Sequence, residues 1–253
     1  MNDPADGKNT ASKGVAGRAR RYYKKDFWST ENLRYDNPHF RLAKAADIIS
    51  KLAGGRERTL LDVGCGPAAL MHVLPPNISY YGVDIAIPEP APNLAEADLL
   101  ETPIGFGGQK FDMVLAQGFF EYMGEFQARK FSEIAGLLTQ DGVFIATYVN
   151  FGHHSKDIYF PYNNVQPVAT FRADLARHFR IERAFPTSHN WKHTEPNRKL
   201  LRAVNMKLNV NVPVVSPKLA VEYFFICSPL GPGRSGTSAA KSGIGAAKSG
   251  TSA

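Results

Sequence analysis

The chain has 253 residues, 43% hydrophobic and 21% charged, with a formal net charge of +7. That composition suits a globular chain with a substantial core and excludes a wholly disordered chain, a collagen-like repeat and a disulfide scaffold. The charge is uneven: residues 1–25 carry seven basic and two acidic side chains, and residues 229–253 three basic and no acidic ones, which leaves the body near neutrality at −1. A basic excess confined to the ends reads as solvated tails and argues against nucleic acid as partner, a basic arm gripping RNA or an acidic partner being the alternative.

Residues 1–20 are small and polar and read as a disordered basic arm. The folded body is expected over residues 21–229. In chain order it shows helical spacing over Asn37–Leu52, short apolar runs at Thr59–Val63 and Tyr80–Asp84, and a weaker one at Leu94–Ala97. A run at Phe111–Gln117, a helix over Glu125–Leu138 and a run at Gly142–Val149 follow. Then come a helix over Val168–Phe179, a run at Arg180–Phe185, a helix over Asn197–Lys207 and a last run at Val221–Ser228. Residues 230–253 are Ser/Gly/Ala/Lys-rich, with AAKSG twice, and read as a low-complexity tail. Strands alternating with helices predict an α/β domain, a mostly parallel sheet with helices on both faces and its ligand site beyond the carboxyl ends of the strands. No apolar run approaches the ~18 residues that span a bilayer, and no apolar leader follows the polar start, so no membrane partner is expected. Cys65 and Cys227, far apart, point to a reducing cytoplasm.

The sharpest local signal is Leu60-Leu61-Asp62-Val63-Gly64-Cys65-Gly66-Pro67, a strand running into Gly-x-Gly ahead of a helix. Glycines there permit a tight turn and close approach of a ligand to the backbone. Asp84 ends the next strand, where a carboxylate can accept hydrogen bonds from both hydroxyls of a ribose. The pair reads as a nucleoside site. Gly64-x-Gly66-x-x-Ala69 also fits a loose NAD pattern. Asp62 would repel a pyrophosphate and Pro67 removes an N–H that would bind one, and both features turn the reading away from NAD.

These residues resemble the class I S-adenosylmethionine-dependent methyltransferases over roughly residues 58–150. Leu61–Pro67 resembles the family's first motif, Asp84 its ribose-binding acid, and Glu96-Ala97-Asp98-Leu99 the loop whose Asp caps the adenine amino group. Phe111–Tyr122 resembles its fourth strand and exit, and Gly136–Phe144 its entry to the fifth. The exit departs from the usual Leu-Glu-His, reading Phe120-Glu121-Tyr122, so no histidine role carries over. The resemblance implies a Rossmann-like seven-stranded sheet whose last strand, Val221–Ser228, inserts antiparallel. It implies S-adenosylmethionine as cofactor and S-adenosylhomocysteine as product. The expected cofactor residues are Asp62, Gly64, Cys65, Gly66, Asp84, Ile85, Asp98, Leu99, Gln117, Gly118 and Phe119, with Tyr22 and Trp28 of the arm as a lid. Plain core packing is the other reading of Phe119 and Phe120.

Methyl transfer from a sulfonium is an in-line displacement that needs alignment and an unprotonated acceptor. Gln117-Gly118-Phe119-Phe120 stands where transfer to an exocyclic nitrogen would want Asn/Asp-Pro-Pro-Tyr/Phe. Neither cysteine is placed as a nucleophile, and the ends of the fourth and fifth strands carry Gln117 and Asn150 rather than an acidic cluster, so no metal is expected. The long segment after the fifth strand is dense in His, Tyr and Phe. His153 or His154 there could take the proton from a hydroxyl. Phe120, Tyr122, Asn150, Tyr159, His189 and Trp191 are the expected acceptor contacts. The reading is O-methylation of a hydroxyl or carboxyl on a small molecule, a specialised metabolite or sugar. The alternatives are an RNA or protein methyltransferase using the basic arm and a non-catalytic cofactor-binding module. Acceptor identity and oligomeric state are not readable.

Overall fold

A computed structural model describes residues 40–151, 164–187 and 222–231. Helix α1 (Phe40–Ala53) precedes β1 (Arg58–Val63), and β2 (Ile78–Asp84), β3 (Leu94–Glu96) and β4 (Phe111–Ala116) follow. After α2 (Gln127–Leu137) come β5 (Leu138–Val149), α3 (Val168–Leu175), β6 (Phe179–Thr187) and β7 (Glu222–Pro229). The strands form one seven-stranded sheet in the order β3-β2-β1-β4-β5-β7-β6. The first five strands run parallel, and β7 lies antiparallel between β5 and β6.

The expected sheet, antiparallel strand included, is present. Its inner strands are apolar on both sides because both faces are covered. On one face α1 sets Ala45, Ile48 and Ile49 against Leu60, Leu115, Ile145 and Phe224. On the other, Phe131 and Ile134 of α2 and Phe171 and Leu175 of α3 pack on Val114, Phe144, Tyr148 and Phe225. Phe120 sits among Phe131, Phe144 and Phe171 with ring centroids 4.5–6.1 Å away. On the first face Lys44 is fully buried, its ammonium 5.2 Å from the centroid of the Phe185 ring. Burial drives its pKa down to about 8.

Several expected elements differ in detail. The segment after the glycine turn is a five-residue 3-10 helix, Ala69–Val73, rather than an α-helix. The helix expected over Val168–Phe179 stops at Leu175, where the Ala176 N–H bonds back to Arg172 and Asp174 and the chain turns so that Phe179 enters the core. The run expected from Gly142 begins pairing at Leu138, opposite Phe111, and an irregularity between Phe111 and Met113 takes up the extra residues. The helix expected over Asn197–Lys207 lies outside the described residues. Among the described residues no helix is long and apolar enough to cross a membrane.

Candidate active site

Parallel pairing of β1 with β2 and β4 brings the turn after Val63, the end of β2 at Asp84 and the exit of β4 at Gln117 to one edge of the sheet. That edge is the switch point, where the chain, having gone from β1 outward to β2 and β3, returns to β4 on the other side.

The turn curls through positive φ at Gly64 (76°), Gly66 (55°) and Ala68 (55°). Its N–H groups are engaged internally. Gly64 and Cys65 donate to the Val83 carbonyl (2.8 and 3.3 Å), Gly66 donates to Asp84 Oδ2 (2.9 Å), Ala68 donates to Cys65 O (3.1 Å), and Pro67 has no N–H. A pyrophosphate needs a set of free amides and the end of a true helix, and this turn offers neither. The donors instead hold Asp84, which is 6% exposed. Burial raises its carboxyl to about pH 6, opposed by the N–H groups of Gly66, Ala86 and Ile85. Each carboxylate oxygen accepts one N–H at hydrogen-bond distance, Oδ2 from Gly66 (2.9 Å) and Oδ1 from Ala86 (3.3 Å), so of about four acceptor positions capacity remains for the hydroxyls of a ribose, and such donors would favour its charged form. The donor set therefore fits a nucleoside carrying no phosphate at this turn.

Asp62 is buried at the end of β1, and its Oδ2 accepts the Tyr80 hydroxyl (2.9 Å). Burial, then the charges of Asp62 and Asp84, push the Cys65 thiol far above its ordinary value, so it is a neutral spacer in the turn. Ile85 is half-buried beside Asp84. Asp98 begins a turn after β3 in which its Oδ1 accepts the Leu100 N–H (3.0 Å), with Leu99 buried. At the β4 exit Gly118 has φ 67° and donates its N–H to Thr147 Oγ1 (2.9 Å), beside half-buried Gln117. A Cβ on Gly64 would stand 3.2 Å from Phe119 Cδ2, so the two exits touch there.

Of the expected acceptor contacts, Tyr122 and Asn150 are half-buried at the exits of β4 and β5. Phe120 is wholly buried, with its ring inside the core described above. His153, His154, Tyr22, Trp28, Tyr159, His189 and Trp191 lie outside the described residues. Among the described residues no group of three or more His, Cys, Asp or Glu side chains could hold a metal ion.

Two sets of contacts escaped the sequence reading. In the first, buried Glu121 accepts the Val149 N–H on Oε1 (3.0 Å) and its carbonyl accepts the Asn164 N–H (2.9 Å), tying the β4 and β5 exits to the segment that leads into α3. Asn164 Nδ2 donates to Phe120 O (3.0 Å) and Gln127 Oε1 (2.5 Å), and the Tyr148 hydroxyl donates to Asn164 O. In the second, Arg129, Lys130 and Glu133 of α2 reach the loop after β3. Glu121 stands in the fourth-strand exit motif, but no motif marks its partners or the second set, and Lys130 with Glu133 three residues on looks in sequence like an ordinary solvated helix pair.

The comparisons agree with this geometry. The profile of a family described as "Methyltransferase domain" matches residues 61–146. No curated protein matches the sequence closely enough to count as a relative. Among solved structures, the chain is similar to an S-adenosylmethionine-dependent methyltransferase from Clostridium acetobutylicum at 13% identity and TM-score 0.53, covering 87% of this chain and 99% of that one. It is similar to the CcbJ methyltransferase from Streptomyces caelestis at 12% identity and TM-score 0.56, covering 82% and 99%. It also resembles the plantazolicin methyltransferase BpumL in complex with S-adenosylhomocysteine, at 11% identity and TM-score 0.51, covering 87% and 99%. At such identities these likenesses speak for the fold. Residues 61–146 match the methyltransferase domain family, and with the glycine turn facing Asp84 across the switch point the chain is similar in fold to the class I S-adenosylmethionine-dependent methyltransferases.

Proposed function

We propose that this methyltransferase acts on a hydroxyl or carboxyl of a small molecule, with S-adenosylmethionine bound by the edge formed by Gly64, Asp84, Asp98 and Gly118. The observation that carries the cofactor half is the turn whose amides are committed to Val83 and Asp84, which suits an uncharged nucleoside end rather than a pyrophosphate. When bound, the cofactor supplies an electrophilic methyl on a sulfonium, and this chain's part is to hold the nucleoside and align the acceptor.

The acceptor side rests on placement and charge. The β4 and β5 exits stand next to each other, tied by Glu121, and the segment that leaves β5 after Phe151 carries His153 and His154. One of these is the proposed base for a hydroxyl proton. Glu121 braces the two exits from a fully buried position, which leaves proton removal to the histidines. The near-neutral body supports a small acceptor over a polyanion.

The test is release of S-adenosylhomocysteine by the full chain with three acceptor classes: small hydroxyl and carboxyl compounds, bulk RNA and unfolded protein. Turnover confined to the first class, with little salt dependence, is the expected result. Turnover on RNA that falls steeply with salt and needs residues 1–25 would replace the proposal. Tight cofactor binding without turnover on any class would mark a binding module.

A further inference from the structure

The loop that follows β3 is held from beneath by the adjacent helix at three points. Arg129 Nη2 donates to Leu100 O (2.7 Å), Lys130 Nζ donates to Thr102 O (2.8 Å), and the Ile104 N–H donates to Glu133 Oε2 (2.9 Å). Lys130 also donates to Glu133 Oε2 (2.7 Å), and Lys130 has no solvent exposure. The loop closes on Asp98: its carbonyl accepts the Thr102 N–H and hydroxyl, both at 2.8 Å, while its Oδ1 accepts the Leu100 N–H (3.0 Å). Lys130 thus reaches Asp98 through one residue, Thr102.

A buried lysine is an expensive anchor for a loop. Desolvation holds its pKa below the ordinary lysine value, against hydrogen bonding and charge from Glu133 and a smaller pull from Asp98. An apolar side chain would fill the same space without that cost. What the ammonium adds is a directed donor to one carbonyl and a positive charge within electrostatic reach of the Asp98 carboxylate. Both favour one position of Asp98 over the alternatives that the long connection between β3 and β4 allows.

We infer that Lys130, acting through Thr102, is a positioning residue that sets Asp98 for reading the adenine amino group of the cofactor. This rests on the reading of Asp98 as the adenine-side acceptor, and the experiment separates the two. Binding of S-adenosylhomocysteine, and of its analogue with hydrogen in place of the adenine amino group, is measured by calorimetry on the full chain. In the parent the amino group is worth about 10- to 100-fold in affinity, the range for a hydrogen bond to a charged acceptor. The variant Lys130→Met with Glu133→Gln removes both charges together, so that none is left buried alone. It should bind S-adenosylhomocysteine about 10-fold more weakly and the analogue within about twofold, collapsing the preference. Thr102→Val, at an exposed position, removes only the hydroxyl bond to Asp98 O and should shrink the preference by about threefold. It gives the same readout should the double variant not fold. A preference kept whole in these variants, or an equal loss on both ligands, overturns the positioning role and leaves a loop anchor. A parent with no preference between the ligands removes Asp98 from the adenine and takes the inference with it.

Discussion

The two halves of the site are built in different ways. The nucleoside half is made of backbone: three residues with positive φ, amides bonded to Val83 and Asp84, and one carboxylate at a strand end. The proposed acceptor side is braced instead by side chains drawn from distant positions, with Glu121, Gln127, Tyr148, Asn164 and Gln166 bonded to one another or to main chain between β4, β5 and α2. Gln127 also donates to Asp174 Oδ2 of α3 (3.0 Å), so the network continues into the helix layer. A backbone cradle depends on local conformation and should fail without unfolding the domain. A buried polar network is part of the core and should carry stability with it.

Glu121→Ala should therefore give the largest effect on stability. It leaves the Val149 N–H and the surrounding polar groups buried without their acceptor, at about 2–4 kcal/mol. For a domain of this size that is a fall in melting temperature of about 5–15 °C. Cofactor affinity, read by calorimetry at a temperature where the variant is folded, should move less than about threefold, since the contact lies in the other half. A large loss of cofactor affinity at unchanged melting temperature would abolish the distinction between the halves.

Gly64→Val should do the converse. A branched residue at φ 76° is strained by about 1–2 kcal/mol or more, and its Cβ would meet Phe119 at 3.2 Å. Cofactor affinity should fall at least about 10-fold with a melting shift of only a few degrees.

Legibility follows the same division. Val63-Gly64-Cys65-Gly66 and Asp84 were readable because a tight turn and a strand-end acid are local requirements, each satisfied within a few residues of sequence. The seven-stranded, mostly parallel sheet with its antiparallel last strand was readable from alternation and resemblance together. The brace was not: Glu121 and Asn164 are 43 positions apart, and nothing in the pattern of either segment shows that Asn164 returns to the Glu121 carbonyl. The α-helix expected after the glycine turn failed for a reason that also lies in the turn, where Ala68 takes a left-handed conformation (φ 55°) and the chain leaves in a short 3-10 segment.

Asp84 gives a pH signature for the nucleoside half alone. Its folded pKa, about 6, lies above the ordinary value of 3.8 because of burial. The ligand-free protein then holds the proton more tightly than the unfolded chain. The stability this contributes is present below about pH 4 and is lost as pH rises through 6, by about 3 kcal/mol in all. Ribose hydroxyls favour the carboxylate, so the cofactor should bind with proton release below pH 6, its affinity rising about 10-fold per pH unit and levelling above. In Asp84→Asn the affinity should be lower by about 1–3 kcal/mol and flat over this range. Calorimetry of S-adenosylhomocysteine in two buffers of different ionisation enthalpy reads the proton directly, and an equal slope in parent and variant would assign the pH dependence to another group.

The smallest effect should come from Tyr148→Phe, which separates the polar part of the brace from its packing. The ring is fully buried and lies flat on Phe171, with centroids 4.1 Å apart and planes 10° from parallel. Phenylalanine keeps that stack. What is lost is the hydroxyl, which donates to Asn164 O and accepts the Gln166 N–H (3.2 Å). Both groups are main chain in the segment that leads into α3, and Asn164 remains held by Glu121 O, Phe120 O and Gln127. The loss should be about 1 kcal/mol, or about 2–4 °C in melting temperature. Cofactor affinity should not change. If Asn164 sets the acceptor side through its place in the brace, KM for the acceptor should rise a few-fold with kcat nearly constant, because loosening one anchor of a binding surface weakens ground-state and transition-state binding alike. A fall in kcat at constant KM would instead put the Tyr148 hydroxyl's influence on the reacting geometry itself.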